Sequence, residues 1–322
     1  MTAMRVLVTR RWPARVEKIL VERFRAQLNV ADIPLSEHEL MDAFRDFDVV
    51  LPTVSDRLPA AVFPPSPRVR FLGNFGVGFN HIDIDAARQA GIMVTNTPGV
   101  LTDCTADLAI TLMLMVARRA GEGERQLRDG EWAGWCPTHM VGRKVSGKTL
   151  GIVGMGRIGR ATARRARFGF GMNIVFYNRS LQHDEELRSL GALQFDTIEE
   201  VMAQADFVSL HCPGGAENKH IINAGRLATM RQEAFLINTA RGDVVDEAAL
   251  IDALGERRIA GAGLDVFASE PSVPDKLKSM SNVVLLPHLG SATEETRTAM
   301  GMKVVENLEA FLEGRDPPDR VA

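Results

Sequence analysis

Cysteine is scarce in this chain, and what there is does not pair up. Cys104, Cys136 and Cys212 lie scattered through 322 residues, with no C-x-x-C spacing. An odd, dispersed set speaks against a disulfide framework and against a structural zinc centre, and it fits a reducing cytoplasm. No sign of charge dominates: 38 Lys and Arg stand against 41 Asp and Glu, for a net charge of -3. Neither a nucleic-acid surface nor a membrane surface is expected from that balance. Long apolar runs are missing as well. The most apolar helical stretch, Leu108 to Ala117, is too short to span a bilayer and is flanked by Asp107 and Arg118. The opening M-T-A-M-R-V-L-V-T reads as a short strand, without the apolar core of a signal peptide. Internal repeats and low-complexity segments are also absent. A composition of 45% hydrophobic and 25% charged residues suits a globular chain, and the length suits two domains.

Glycine carries the strongest signal. Thr149 to Arg160 reads T-L-G-I-V-G-M-G-R-I-G-R: a buried strand, a glycine-rich turn, then a helix. Gly154, Gly156 and Gly159 have the spacing G-x-G-x-x-G. Gly154 permits a tight turn, Gly156 lets backbone approach a pyrophosphate, and Gly159 lets the helix pack closely on the strand. The pyrophosphate would rest on the free N–H groups at the helix start, where Arg157 and Ile158 follow the turn. A further strand, Asn173 to Tyr177, completes the context of a dinucleotide site.

Strands alternate with helices on both sides of this turn. Met4–Thr9, a weak Asn29–Ala31, Asp48–Leu51, Val69–Leu72 and Ile92–Thr95 read as strands. Pro13 opens one helix, and Ser36 could cap another running through Phe44. After Leu72, G-N-F-G-V-G-F-N-H imitates a nucleotide finger but has His81 where the third glycine belongs. A small anion such as a carboxylate suits that turn better than a pyrophosphate does; a plain tight turn is the alternative. Thr97-Pro98-Gly99 looks like a crossover into a long helix, Thr102 to Arg119. Gly121 to Gly147, with Trp132 and Trp135, reads as a long connection over the surface or onto a partner subunit, with a locally packed arm as the alternative. Strands then fall at Thr149–Val153, Asn173–Tyr177, Asp206–Leu210, Ala234–Asn238, Gly261–Val266 and Val283–Leu286. A final helix, Glu294 to Leu312, should return to the first part. The pattern predicts an α/β chain of two Rossmann-like domains with doubly wound parallel sheets. A coenzyme domain, 100–289, is inserted into a smaller flavodoxin-like substrate domain made of 1–99 and 290–322.

Ligands of such sheets bind beyond the carboxyl ends of the strands. Those ends read His211-Cys212-Pro213, Thr239-Ala240-Arg241-Gly242, Asp265 with Glu270 after it, and Pro287-His288-Leu289-Gly290-Ser291. Reducing a carbonyl takes a cation to hold and polarise the substrate, a proton donor, and a hydride beside them. Arg241 suits the first, because its planar fork matches a carboxylate and keeps its proton. A histidine suits the second, and Glu270 could pair with it and fix its tautomer. His211 and His288 both follow strands, so position alone does not choose between them. At the end of the second coenzyme strand stand Asn178, Arg179 and Ser180, where an NAD site usually carries a carboxylate. Arg179 offers a charge-assisted contact to a 2′-phosphate, Asn178 and Ser180 add hydrogen bonds, and Arg157 adds positive field. NADP(H) is therefore the expected cofactor, with NAD(H) as the second choice.

The segments G-I-V-G-M-G-R-I-G, H-C-P, I-N-T-A-R-G-D-V-V-D-E, G-L-D-V-F-A-S-E-P and L-P-H-L-G-S-A, with F-G-V-G-F-N-H-I-D and V-T-N-T-P, run through nearly the whole chain. Together they resemble the D-isomer-specific 2-hydroxyacid dehydrogenase family, and within it the glyoxylate/hydroxypyruvate reductases. The resemblance implies Arg241 as the substrate-orienting cation, Glu270 as the partner and His288 as the acid/base, with His211 in the cofactor loop. It further implies that Asp265 holds the nicotinamide amide and that Thr105 touches the cofactor. The Val77 and Gly78 N–H groups would hold the substrate carboxylate. The remaining cofactor contacts would come from His211, Cys212, Pro213, Thr239, Ala240, His288 and Gly290. A homodimer built on the coenzyme domains is implied too. Formate dehydrogenases of the family carry glutamine where this chain has Glu270, which favours carbonyl chemistry here. Phosphoglycerate dehydrogenases often carry a regulatory domain that is not expected in this chain.

The expected activity is NADPH-dependent reduction of small 2-oxo acids, glyoxylate to glycolate and hydroxypyruvate to D-glycerate. Two alternatives stay open at this point. One is an NAD-dependent dehydrogenase for another D-hydroxy acid. The other is a non-catalytic nucleotide-sensing protein, since transcriptional corepressors resemble the family.

Overall fold

The computed structural model describes residues 4–322, which form two compact units. One comprises the chain up to Leu101 together with Ala292–Ala322; the other is Thr102–Ser291. The first unit runs β1 (Val6–Val8), α1 (Ala14–Phe24), β2 (Gln27–Leu28), α2 (Glu37–Asp46), β3 (Val49–Leu51), β4 (Phe71–Gly73), α3 (Ile84–Gln89) and β5 (Met93–Thr95). The second runs α4 (Thr102–Ala117), α5 (Ala120–Arg128), β6 (Thr149–Val153), α6 (Arg157–Arg164), β7 (Asn173–Tyr177), α7 (Glu185–Leu190), β8 (Leu193–Gln194), α8 (Ile198–Gln204) and β9 (Phe207–Leu210). It continues with α9 (Ala224–Leu227), β10 (Phe235–Asn238), α10 (Glu247–Gly255), β11 (Gly261–Leu264), α11 (Asp275–Ser279) and β12 (Val283–Leu285). The last helix, α12 (Glu294–Leu312), belongs to the first unit.

Both sheets are parallel throughout. The first has the order β2-β1-β3-β4-β5, with Leu7 opposite Val50 and Val50 opposite Leu72. Its strands β1 and β3 are short apolar runs, V-L-V and V-V-L, buried along their whole length. Such runs suit a parallel sheet covered on both faces. One face packs under α2, with Leu40, Phe44, Val50 and Leu72 in one cluster. The other packs under α1 and α12, where Val304, Val305 and Leu308 meet Val6, Val8, Leu20 and Phe71. Helix starts follow from local chemistry. Ser36 and Glu39 form a reciprocal capping box at α2, and Thr293 caps α12.

The second sheet has the order β12-β11-β10-β9-β6-β7-β8. The direction of winding reverses between β6 and β9, and the glycine turn follows β6 at that point. No helix among the described residues is long and apolar enough to cross a membrane.

Some elements depart from the sequence expectation. Asn29–Ala31 is not a strand. The edge strand lies at Gln27–Leu28, and the Asn29 amide donates to Thr9 O and Ile33 O, turning the chain away from the ladder. The Gly121–Gly147 connection opens inside a helix, α5, which buries none of its residues. The helix expected after the glycine turn gives way at Arg165 to a π-helical turn that runs to Gly169. Strand β8 and helix α11 had no counterpart in the sequence pattern.

Candidate active site

The turn after β6 is closely fitted to its neighbours. Gly154 has φ +97°, and a Cβ there would lie 2.7 Å from Cys212 N. At Gly159 a Cβ would lie 2.3 Å from Gly154 O, so α6 approaches the turn as only glycine allows. Gly156, the N-cap of α6, differs: nothing lies within 4 Å of the corresponding position. That open side above the first turn of α6 fits a pyrophosphate. Arg157 stands exposed beside Ile158 at the helix start. Asn178 ties the end of β7 to the turn by accepting from Met155 N at 3.3 Å and donating to Ser180 Oγ at 3.2 Å. Arg179 pairs with Glu217 at 2.8 Å, both side chains being at least 80% exposed. Its sequence position did not reveal this carboxylate partner.

The loop after β9 holds His211, whose Nε2 lies 2.9 Å from Ser209 Oγ. Burial pushes the pKa of this ring down to about 4. The Cys212 thiol is buried and is pushed up to about 11 by the same cause. Pro213 O accepts from Asn218.

At the end of β10, Asn238 shapes the next turn. Its carboxamide accepts from Ala240 N at 3.0 Å and donates to Arg241 O at 2.9 Å. Thr239 is buried beside it, and its Oγ1 lacks a hydrogen-bond partner among the described residues. Arg241 Nη1 donates to Ala240 O at 2.7 Å. Burial draws its pKa down, while the charges of Glu270 and Asp243 oppose that. Gly242 lets this turn abut the backbone of Phe267 and Ala268, where a Cβ would meet Phe267 C at 1.9 Å. The Arg241 turn thereby meets the loop that carries Glu270.

Glu270 Oε1 accepts from Phe267 N at 3.0 Å, and Oε2 lies 2.7 Å from His288 Nδ1. Burial would raise the Glu270 pKa, but the His288 hydrogen bond and charge, aided by Arg241, hold it below the usual value. His288 takes the left-handed backbone, φ +54°. Its N–H donates to Asp265 O, while Leu289 N and Gly290 N donate to the two Asp265 carboxylate oxygens at 2.6 and 2.8 Å. Burial lifts the Asp265 pKa to about 6. Thr105 Oγ1 donates to Gly290 O at 3.0 Å, so α4 also secures this loop.

The second unit thus brings Arg241, Glu270 and His288 to the carboxyl ends of its strands, with Asp265, Thr105 and Gly290 supporting the histidine. His211 sits in a separate hydrogen bond with Ser209. Sequence reasoning missed Asn238, Ser209 and Glu217; of these, only Asn238 carried a signal, as an asparagine closing a strand before a turn.

In the first unit, the loop after β4 is held by side-chain amides. Asn74 Nδ2 donates to Gly76 O at 3.0 Å and to Gly78 O at 3.1 Å, and Asn96 Nδ2 donates to Val77 O at 2.8 Å. Val77 and Gly78 are half-buried there.

Comparison with known proteins places the chain in a family. Residues 110–290 match the family model of the D-isomer specific 2-hydroxyacid dehydrogenase, NAD binding domain. The chain is 45% identical over 319 residues to a glyoxylate reductase of Korarchaeum cryptofilum, covering 98% of this chain and 95% of that protein. A Thermococcus kodakarensis glyoxylate reductase is 44% identical over 321 residues, covering 98% and 96%. Among solved structures, an NADPH-dependent glyoxylate/hydroxypyruvate reductase from Sinorhizobium meliloti, in complex with NADP and malonate, superposes with a TM-score of 0.88. It is 36% identical, and the alignment covers 100% of this chain and 97% of that one. With a glycine turn built for a dinucleotide and a whole-length likeness to these reductases, the chain is an NAD(P)-dependent oxidoreductase that belongs to the D-isomer specific 2-hydroxyacid dehydrogenase family.

Proposed function

We propose that this enzyme reduces small 2-oxo acids, glyoxylate to glycolate and hydroxypyruvate to D-glycerate, with NADPH preferred. The observation that carries the reading is the 2.7 Å contact between His288 Nδ1 and Glu270 Oε2. Glu270 is held in its charged form, so Nδ1–H donates to it and the tautomer is fixed. With a second proton on the ring, Nε2–H is then the group that gives its proton to the developing alkoxide oxygen, which leaves the neutral ring with its Nδ1–H on Glu270. Arg241 orients the 2-oxo acid and polarises its carbonyl, and the Val77 and Gly78 N–H groups take the carboxylate. The nicotinamide supplies the hydride to the carbonyl carbon when it is bound. Gly154, Gly156, Gly159 and the start of α6 hold its pyrophosphate, and Asp265 and Thr105 lie on the nicotinamide side. Residues 1–99 with 290–322 serve as the substrate domain and 100–289 as the coenzyme domain, in a cytoplasmic homodimer. Names of the relatives support the substrate, since the archaeal proteins are glyoxylate reductases.

The NADPH preference rests on Arg179, which follows β7 in a stretch, Asn178-Arg179-Ser180, that itself carries no carboxylate. NAD(H) is retained as a second cofactor. The exposed Arg179–Glu217 pair is worth little in water, so Arg179 can exchange Glu217 for a phosphate or keep it. The test is kcat/KM for a panel of 2-oxo acids with both cofactors, for wild type, Arg179→Ala and Arg241→Lys. Wild type should favour NADPH about tenfold to hundredfold, the worth of one hydrogen bond to a charged group. Arg179→Ala should lose that preference selectively, and Arg241→Lys should lose much of the activity with either cofactor. Equal efficiency with NADPH and NADH removes the cofactor reading. Turnover of phenylpyruvate as good as that of glyoxylate removes the small-substrate reading.

A further inference from the structure

We propose that Asn74 and Asn96 are positioning residues for the substrate carboxylate: their side-chain amides set the peptide planes that present the Val77 and Gly78 N–H groups. The inference rests on the reading that those two groups receive the carboxylate. In a trans peptide, the C=O of one residue and the N–H of the next point in opposite directions. Holding a carbonyl from one side therefore aims the following N–H to the other. Gly76 O accepts from Thr97 N at 3.1 Å and from Asn74 Nδ2 at 3.0 Å, which directs the Val77 N–H away from both. Val77 O accepts from Asn96 Nδ2 at 2.8 Å, which directs the Gly78 N–H away from Asn96. Gly78 O accepts from the same Asn74 nitrogen at 3.1 Å, which sets the next plane as well.

The donor inventory makes Asn74 a keystone. An asparagine amide has two N–H donors and one carbonyl acceptor. Nδ2 of Asn74 serves two loop carbonyls, and Oδ1 lies 3.1 Å from His81 Nε2, so His81 donates. Asn74 is fully buried, so leaving these contacts unmade is costly. Aspartate has the same shape but no donors. At either position it would set a carboxylate oxygen against a loop carbonyl and turn the plane. Neither asparagine touches the reacting atoms in this account; each acts through the backbone it holds.

The experiment compares wild type with Asn96→Asp, Asn96→Ala and Asn74→Ser. It measures thermal midpoints, NADPH affinity by fluorescence titration, kcat and KM for glyoxylate, and the affinity for oxamate, a non-reducible carboxylate probe. The variants should raise both KM and the oxamate dissociation constant by about tenfold to hundredfold, as expected for losing hydrogen bonds to a charged group. Their kcat should change much less, and NADPH affinity should stay as in wild type. Asn74 is fully buried and its variant could fail to fold, in which case the half-buried Asn96 decides. A folded Asn96→Asp protein with wild-type KM and oxamate affinity overturns the proposal. So does a fall in kcat with KM unchanged. Failure of wild type to bind oxamate overturns it together with the carboxylate reading. Should wild type bind oxamate yet reduce some other 2-oxo acid, only the choice of substrate falls, and the oxamate series still decides on the asparagines.

Discussion

A left-handed backbone at a residue such as His288 costs on the order of 1–3 kcal/mol, and the surrounding contacts must sustain it. Three N–H groups in a row, those of His288, Leu289 and Gly290, all end on Asp265 and supply that support. Replacing His288 with alanine should lower turnover by about 10²–10⁴, the usual share of acid–base catalysis, with NADPH binding kept. Near-normal turnover in His288→Ala, with loss in His211→Ala, would reverse the assignment. His211 makes a different prediction. Its folded pKa of about 4 lies below the ordinary 6.5, so the unfolded chain binds a proton that the folded chain refuses. The stability tied to this ring is complete above pH 6.5 and is lost as pH falls toward 4. Its worth is on the order of 1–3 kcal/mol, the shift counted at 1.36 kcal/mol per unit and reduced for partial exposure. Denaturant unfolding at pH 4.5 and pH 7 should show a smaller pH difference in His211→Gln; an unchanged difference would sink the idea. The sequence showed which residue types stand at the strand ends. Strand position alone did not choose between two histidines that both follow strands, and only the family resemblance pointed to His288, because that choice depends on Glu270 reaching one ring and not the other. Nor could the sequence show Glu217 against Arg179, which brings together residues 38 positions apart.

Elements were most legible where a strand is apolar throughout and punctuated by glycine. Strands β6 and β7 and helix α12 follow the sequence pattern residue for residue. Where burial is thin the pattern failed. Helix α5 carries Gly121 and Gly123, buries no residue, and therefore shows no apolar stripe to read. Strand β8 is two residues long at a sheet edge, too short for any alternation. The glycine turn yields a prediction that separates fold from ligand. Gly159→Ala drives a Cβ into Gly154 O and should lower stability by more than about 1 kcal/mol, with cofactor binding lost as a consequence. Gly156→Ala has open space and an ordinary φ of -80°, so its thermal midpoint should match wild type while affinity for NADPH falls. If NADPH binds Gly156→Ala as tightly as wild type, the pyrophosphate does not rest there.

Across the whole molecule, the segment after α5 leaves large apolar side chains in water. Trp132 is 52% exposed, Trp135 82% and Val141 65%. Exposed apolar side chains of this kind suit an interaction surface, and the homodimer we propose would give it an occupant. Sedimentation should find a particle twice the 35.3 kDa of one chain, and Trp135→Glu should shift it toward the monomer. A wild-type protein that sediments as a monomer at micromolar concentration would end that proposal. The parallel sheets were legible from alternating elements, but the partition of the chain depended on where α12 returns. That return also sets an order of events during synthesis. Strands β1 to β5 leave the ribosome early, but Val304, Val305 and Leu308, which cover Val6, Val8 and Phe71, come after all of Thr102–Ser291. At about 5–20 residues per second, the roughly 200 intervening residues take about 10–40 seconds. The nascent chain carries a sheet face covered by α1 alone through the making of an entire domain, and a chaperone riding on it would find the strip that Val304, Val305 and Leu308 later cover open for that whole interval.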